Sequence, residues 1–166
     1  MATTPLSTAI GVISGTSMDG IDIALIRTDG LQIVQAGPGM MAPYPQALRR
    51  QLLAFLEDPS RAEHDPLTAL EEAVTDAFTD AIDGFIRRES LDRAGVHLIG
   101  NHGQTVYHRP EKRFTRQLSL GQRMANALGI PVVDDFRTAD VKAGGQGAPL
   151  VPLYHAALAA GLSQPL

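Results

Sequence analysis

Cysteine is absent from the 166 residues, which excludes disulfides, thiolate zinc sites and a cysteine nucleophile. No apolar run approaches the roughly 20 residues that span a bilayer, so no membrane partner is expected. The first fifteen residues hold no Lys or Arg, so the basic start of a secretory signal peptide is missing. Charge is sparse as well. Charged residues make up 19% of the chain, and 14 Lys+Arg against 18 Asp+Glu leave a formal net charge of −4. That balance is the reverse of a general nucleic-acid surface, so no nucleic-acid partner is expected. No internal repeat and no low-complexity tract occurs. These absences together predict a soluble, cytoplasmic protein.

What is present is enough to fold. Hydrophobic residues at 44% can build one ordinary core, and the length suits one domain or one lobe of something larger. Thr8 to Gly15 is short, apolar and β-branched and reads as a buried strand. Asp19-Gly20 marks a turn, Ile21 to Thr28 a second strand, Asp29-Gly30 another turn and Leu31 to Ala36 a third strand. Gly37 to Pro45, with its prolines and glycines, reads as a loop. A helix is predicted over Gln46 to Glu57. A longer one follows from an Asp65-Pro66 start to about Glu89, with Leu67, Leu70, Val74, Phe78, Ile82 and Phe85 on one face. Val96 to Gly100 is a further strand, and Phe114 to Leu118 is an edge strand or part of a hairpin. Ser119 to Leu128 is a helix capped by Ser119 with Gln122 and closed by Gly129. Ile130 to Val133 is the last strand and Leu150 to Ala160 the last helix, with Pro165-Leu166 following directly and no natural-looking tail. The fold class is therefore mixed α/β, opening with an antiparallel three-stranded meander.

Four polar or glycine-rich elements sit at predicted strand ends or helix starts. Gly15-Thr16-Ser17-Met18-Asp19-Gly20 lies between two strands, where backbone N–H groups can hold phosphate oxygens and a carboxylate can position Mg²⁺ or its waters. It is not a Walker loop, because no G-x-x-x-x-G-K-[ST] occurs. A plain hairpin turn has the same composition, and Asp22, alternating with Ile21 and Ile23, also suits a solvent-facing strand position. Asn101-His102-Gly103-Gln104-Thr105 follows a strand and offers neutral donors and acceptors for a hydroxyl-rich ligand. His102 and His108 have no third histidine near them in sequence, so a zinc site is not expected, and His108 before Arg109-Pro110 reads as an exposed turn. Asp134-Asp135-Phe136-Arg137 through Asp140 can orient a sugar, or form an ordinary ion pair at a strand end. Asp135 or Asp140 could act as a base if buried. Gly144-Gly145-Gln146-Gly147-Ala148-Pro149 before a helix permits close approach of a ligand, or is a flexible loop.

Three segments, GVISGTSMDGIDIALI (11–26), GNHGQTVYHRP (100–110) and DDFRTADVKAGGQGAPLVPLYHAAL (134–158), resemble anhydro-N-acetylmuramic acid kinases in order and spacing. These enzymes belong to the actin-like, hexokinase-like sugar kinase superfamily. The resemblance implies a ribonuclease-H-like lobe and use of ATP and Mg²⁺ on a small amino sugar, in recycling of cell-wall peptidoglycan. It also implies a homodimer for the complete protein. Gly15, Thr16, Ser17, Met18, Asp19, Gly20, Ile21 and Asp22 would form the ATP phosphate loop, with Asp19 at the metal. His102, Gln104, Thr105, Asp135, Arg137, Asp140, Gly145, Gln146 and Gly147 would line the sugar cleft. Family members are longer, with a second lobe bearing a D-x-G-P-G-N segment and the general-base aspartate. That segment does not occur here, so residues 1–166 would be the N-terminal lobe, inactive alone, and no catalytic base is assigned. Two other classes fit the polar residues: a sugar hydrolase working through Asp135 and Asp140 without nucleotide, and a non-catalytic sugar-binding lobe.

Overall fold

The computed structural model describes residues 5–31 and 33–159. The first strands are β1 (Ser7–Ser14), β2 (Ile21–Thr28) and β3 (Val34–Ala42). Helices α1 (Gln46–Phe55) and α2 (Thr68–Arg88) follow, then β4 (Leu98–Arg109) and β5 (Phe114–Leu118). Helix α3 (Gly121–Leu128), β6 (Val132–Val133), α4 (Thr138–Ala143) and α5 (Pro152–Ala159) complete the chain. Among the described residues six strands make one mixed sheet in the order β3-β2-β1-β4-β5, with β6 beside the start of β4. The meander is antiparallel, whereas β4 runs parallel to both β1 and β6.

Alternation along each strand separates two faces. Ile10 and Val12 of β1 and Ile21, Ile23 and Leu25 of β2 point to one side. There they join Leu48, Leu52 and Phe55 of α1 and Val74, Phe78, Ile82 and Phe85 of α2 in one core. Each buried side chain of this size removes enough apolar surface to contribute about 1.5–3 kcal/mol. On the other side Gly11 pairs with Ala24 and with Gly100, and Ile13 pairs with Asp22. This second face stays largely open, with Ile13 and Phe136 exposed upon it.

Several sequence expectations are corrected. The segment 37–42, expected as loop, is the second half of β3. Its Pro38 is tolerated because β3 is an edge strand, and Gly37 is needed where a Cβ would lie 3.0 Å from the Leu25 carbonyl. Of the expected third strand, Gln32 lies outside the described residues. Helix α2 starts at Thr68, because Leu67 stands in a left-handed conformation that a right-handed helix cannot include, and the Pro66 carbonyl before it accepts from Arg116. Ser119 does not cap α3 with Gln122. The Asp134 carboxylate instead accepts from Gly121 N (2.9 Å) and Ser119 Oγ (3.2 Å). Helix α4 was not expected at all, and the final helix begins at Pro152. Ala160 and Pro165-Leu166 lie outside the described residues.

The largest correction concerns β4, which does not end at Gly100 but continues to Arg109. His108 therefore lies in a strand, bonded through Nδ1 to Thr115 Oγ1 (2.9 Å), and not in an exposed turn. Gly103, with φ +71°, inserts one residue: Val12 pairs with Asn101, but Ser14 pairs with Gln104. A Cβ on Gly103 would stand 2.7 Å from the Leu118 carbonyl. Gly103→Ala should therefore lower unfolding free energy by about 2 kcal/mol or more, read as a lower urea midpoint. An unchanged midpoint would show that the bulge tolerates a side chain.

Candidate functional site

The connection from β1 to β2 is held from beneath. Met18 adopts φ +51° and its side chain is fully buried, so it anchors the loop in the core. A Cβ on Gly20 would stand 3.1 Å from the Ala42 carbonyl and would displace the exposed Met41 side chain. Ile21 is likewise buried, while Asp22 stands on the open face opposite Ile13. Three of the loop's carbonyls accept from side-chain donors. Ser14 Oγ donates to Gly20 O (2.8 Å), Arg49 Nε to Met18 O (2.8 Å) and Gln104 Nε2 to Gly15 O (3.2 Å).

Thr16, Ser17 and Asp19 are exposed at the tip. Ser17 Oγ donates to Asp19 Oδ1 (2.8 Å), and this bond, with the amides of Asp19 and Gly20 and the charge of Arg49, holds the Asp19 carboxyl below its ordinary value. The tip is thus an ionised carboxylate beside small hydroxyl side chains. One open carboxylate suits Mg²⁺, which keeps several waters and is completed by phosphate oxygens. Among the described residues no three His, Cys, Asp or Glu side chains gather to hold a metal by themselves.

A second group lies on the open face. His102, at the β4 bulge, accepts from Arg137 Nε at Nε2 (2.9 Å), so its proton sits on Nδ1 and is donated to Gly103 O (3.0 Å). The Arg137 guanidinium also donates to Gly147 O. Both acceptors are neutral, so the half-buried guanidinium has no carboxylate among these partners. Two adjoining cavities, about 680 and 600 Å³, share Ile13, His102, Phe136 and Val151. Arg137 lines the second, and Asp22 and Tyr154 the first.

The carboxylates expected near the sugar do different work. Asp140 Oδ2 accepts from Gly147 N (2.7 Å), and Gly145 packs against the same carboxylate where any Cβ would collide with it. Asp135, at φ +53°, accepts from Thr138 N (3.3 Å) and so caps α4. Gln146 is exposed at the tip of its loop. Gln104 is fully buried, and Thr105 contacts Gln117 and shares a separate small cavity with Thr16. The structure therefore brings His102, Arg137, Asp140 and Gly147 together, and leaves Gln104 and Thr105 apart from them. Tyr44 and Arg49, which hold the first loop, carry no sequence signal, being 60 and 31 positions from the residues they contact.

A family model described as anhydro-N-acetylmuramic acid kinase matches residues 7–164. The chain belongs to the anhydro-N-acetylmuramic acid kinase family. Similar relatives carrying that name include one from Bradyrhizobium diazoefficiens, 46% identical over 162 residues, covering 95% of this chain and 44% of the relative. Another, from Rhodopseudomonas palustris strain HaA2, is 45% identical over 164 residues, covering 96% and 45%. A third, from Rhodospirillum rubrum, is 45% identical over 158 residues, covering 95% and 41%. This family member thus spans a little under half the length of the curated relatives it matches. Its mixed α/β sheet with helices packed on it fits a sugar-kinase lobe, and among its described residues no helix is long and apolar enough to cross a membrane.

Burial, opposed by the bond to Gly103 and assisted by the Arg137 charge, pushes the His102 imidazole below its ordinary 6.5. A folded-state value below the unfolded one stabilises the protein above about pH 6.5, and this contribution is lost as pH falls through the folded value. Urea unfolding across this range should show wild-type stability falling with acidification relative to His102→Gln. Parallel profiles for the two proteins would contradict a neutral, Arg137-bonded imidazole.

Proposed function

We propose that this chain is the N-terminal lobe, residues 1–166, of a two-lobe kinase that opens and phosphorylates 1,6-anhydro-N-acetylmuramic acid. Water adds at C1 as the C1–O6 bridge breaks, and O6 takes the γ-phosphoryl group of ATP. The products are N-acetylmuramic acid 6-phosphate and ADP, a step in recycling cell-wall sugars in the cytoplasm, carried out by a homodimer. The observation that carries the reading is the β1–β2 loop, with three of its carbonyls engaged by side-chain donors and a carboxylate and hydroxyls at its tip. Family membership supports it.

In this reading Gly15 to Asp22 seat the nucleotide's phosphates, with Thr16, Ser17 and backbone amides as donors. Met18, Gly20 and Ile21 contribute through the backbone and through core anchoring. Asp19 would hold Mg²⁺ together with water and phosphate oxygens. The ion, when bound, neutralises charge that develops on the phosphoryl oxygens. His102 and Arg137 face the sugar: the guanidinium keeps its charge for an anionic or hydroxyl-rich ligand, and the neutral imidazole fixes its plane. Asp135, Asp140, Gly145 and Gly147 shape that side of the cleft by capping α4 and folding the loop after it. The water-activating carboxylate is placed in the second lobe, with the adenosine pocket. Closure of the lobes aligns water, sugar and phosphoryl group.

A full-length enzyme whose N-terminal part is this sequence should consume the anhydro sugar only with ATP, releasing one ADP per sugar phosphate. Sugar opening without nucleotide would instead identify a hydrolase. Asp19→Ala in that enzyme should reduce kcat by about 100-fold or more, with an unchanged circular dichroism spectrum. Wild-type turnover would remove Asp19 from the metal role. The 166-residue chain by itself should yield no ADP coupled to sugar phosphate.

A further inference from the structure

We infer that Tyr44 and Gln104 are positioning residues for the nucleotide, holding the β1–β2 loop in the one peptide orientation that can receive an anion. The inference rests on reading Gly15 to Asp22 as the phosphate seat. It gives Gln104 a different task from the sugar contact its place in an HGQT segment suggests.

A backbone anion seat depends on which way its peptides face. An N–H aimed at a phosphate attracts it, whereas a carbonyl in the same place repels it. A short exposed connection can turn its peptides either way unless something fixes them. Here the Gly15 carbonyl accepts from Met18 N within the turn at 3.2 Å, and Gln104 Nε2 reaches it from the core, also at 3.2 Å. The second Nε2 hydrogen goes to Thr105 O at 3.0 Å, and Oε1 accepts from Tyr44 Oη at 2.8 Å. The carboxamide has no freedom to rotate. Flipped, its oxygen would face the carbonyl oxygens of Gly15 and Thr105. Tyr44 therefore sets the orientation of Gln104, and Gln104 locks from the core the Gly15–Thr16 peptide orientation that the Met18 N–H bond of the turn favours.

Burial makes this a positioning role. Gln104 is 0% and Tyr44 6% exposed, so neither touches a ligand at the loop tip. The low-polarity surroundings strengthen each bond and raise the cost of leaving any partner unpaired. Burial also pushes the Tyr44 phenol up to about 12, so the donor keeps its proton throughout the neutral range. Tyr44 leads from β3 into α1, whereas Gln104 follows the β4 bulge, so two separate parts of the chain converge on one peptide of the loop.

The test uses the full-length enzyme and separates nucleotide from sugar. Tyr44→Phe keeps the ring that packs against Phe78 and removes only the hydroxyl. Gln104→Leu keeps approximate size and removes the whole link. Both should raise the KM for ATP, and the Kd for ADP measured by titration calorimetry, by roughly tenfold, while the KM for the anhydro sugar changes less than about twofold. If Gln104→Leu fails to fold, Tyr44→Phe, confirmed folded by its unfolding curve, carries the test alone. Unchanged nucleotide constants in a folded variant overturn the inference. So does a raised sugar KM with an unchanged ATP KM, which would return Gln104 to the sugar. A wild-type enzyme that turns over without ATP would remove the phosphate-seat reading itself, and this is seen before any variant is made.

Discussion

β1 and β4 run side by side in parallel, and one residue inserted at Gly103 shifts their register between Val12 and Ser14. In an uninterrupted strand, residues 102 and 104 would lie on the same face. The insertion places His102 on the open face beside Ile13 and turns Gln104 into the core beside Ser14 and Tyr44. One short polar segment thereby serves both sides of the sheet. A cleft-facing imidazole and a buried carboxamide stand two residues apart, each reaching a different loop.

The electrostatics follow from where backbone carbonyls go. Around the β1–β2 loop those of Gly20, Met18 and Gly15 are engaged by Ser14, Arg49 and Gln104, and the tip carries hydroxyls and the Asp19 carboxylate. Around the loop after α4 the arrangement is reversed: Asp140 takes an amide and Arg137 takes a carbonyl of the same residue, Gly147. That cross-tie explains the glycines. Gly145 lies against the Asp140 carboxylate and Gly147 adopts φ +62° with its Cβ position filled by Val141. The acidic side chains of this region are thus engaged as caps and ties, while Arg137 beside them donates to the neutral acceptors His102 and Gly147.

Parts of this were legible in the residues. The apolar alternation of Ile10, Val12, Ile21 and Ile23, and the stripe Val74, Phe78, Ile82 and Phe85, report burial directly, because strand and helix periods impose those spacings wherever one face meets a core. The three glycine-bearing segments carry the family resemblance for a related reason: each needs a backbone that only small residues permit. The extent of β4, by contrast, was hidden by Asn101, Gly103 and Gln104. Asn101 and Gly103 are turn-forming residue types by local preference, kept within one strand here by the pairing of Asn101 and Gln104 with β1 and of Gln104 with β5.

The sequence by itself determined the mixed α/β class, the positions of the first two strands, the two long helices and the family. All of these depend on periodicity or on residues adjacent in the chain. Only the tertiary structure decided which polar side chains share a site. It sent Gln104 to Tyr44 and away from His102, made Asp134 a cap for α3, and brought Arg49 under the Met18 carbonyl. Such pairings join residues 13 to 60 positions apart, and their geometry is set by a strand register and a single inserted glycine, which no local pattern encodes.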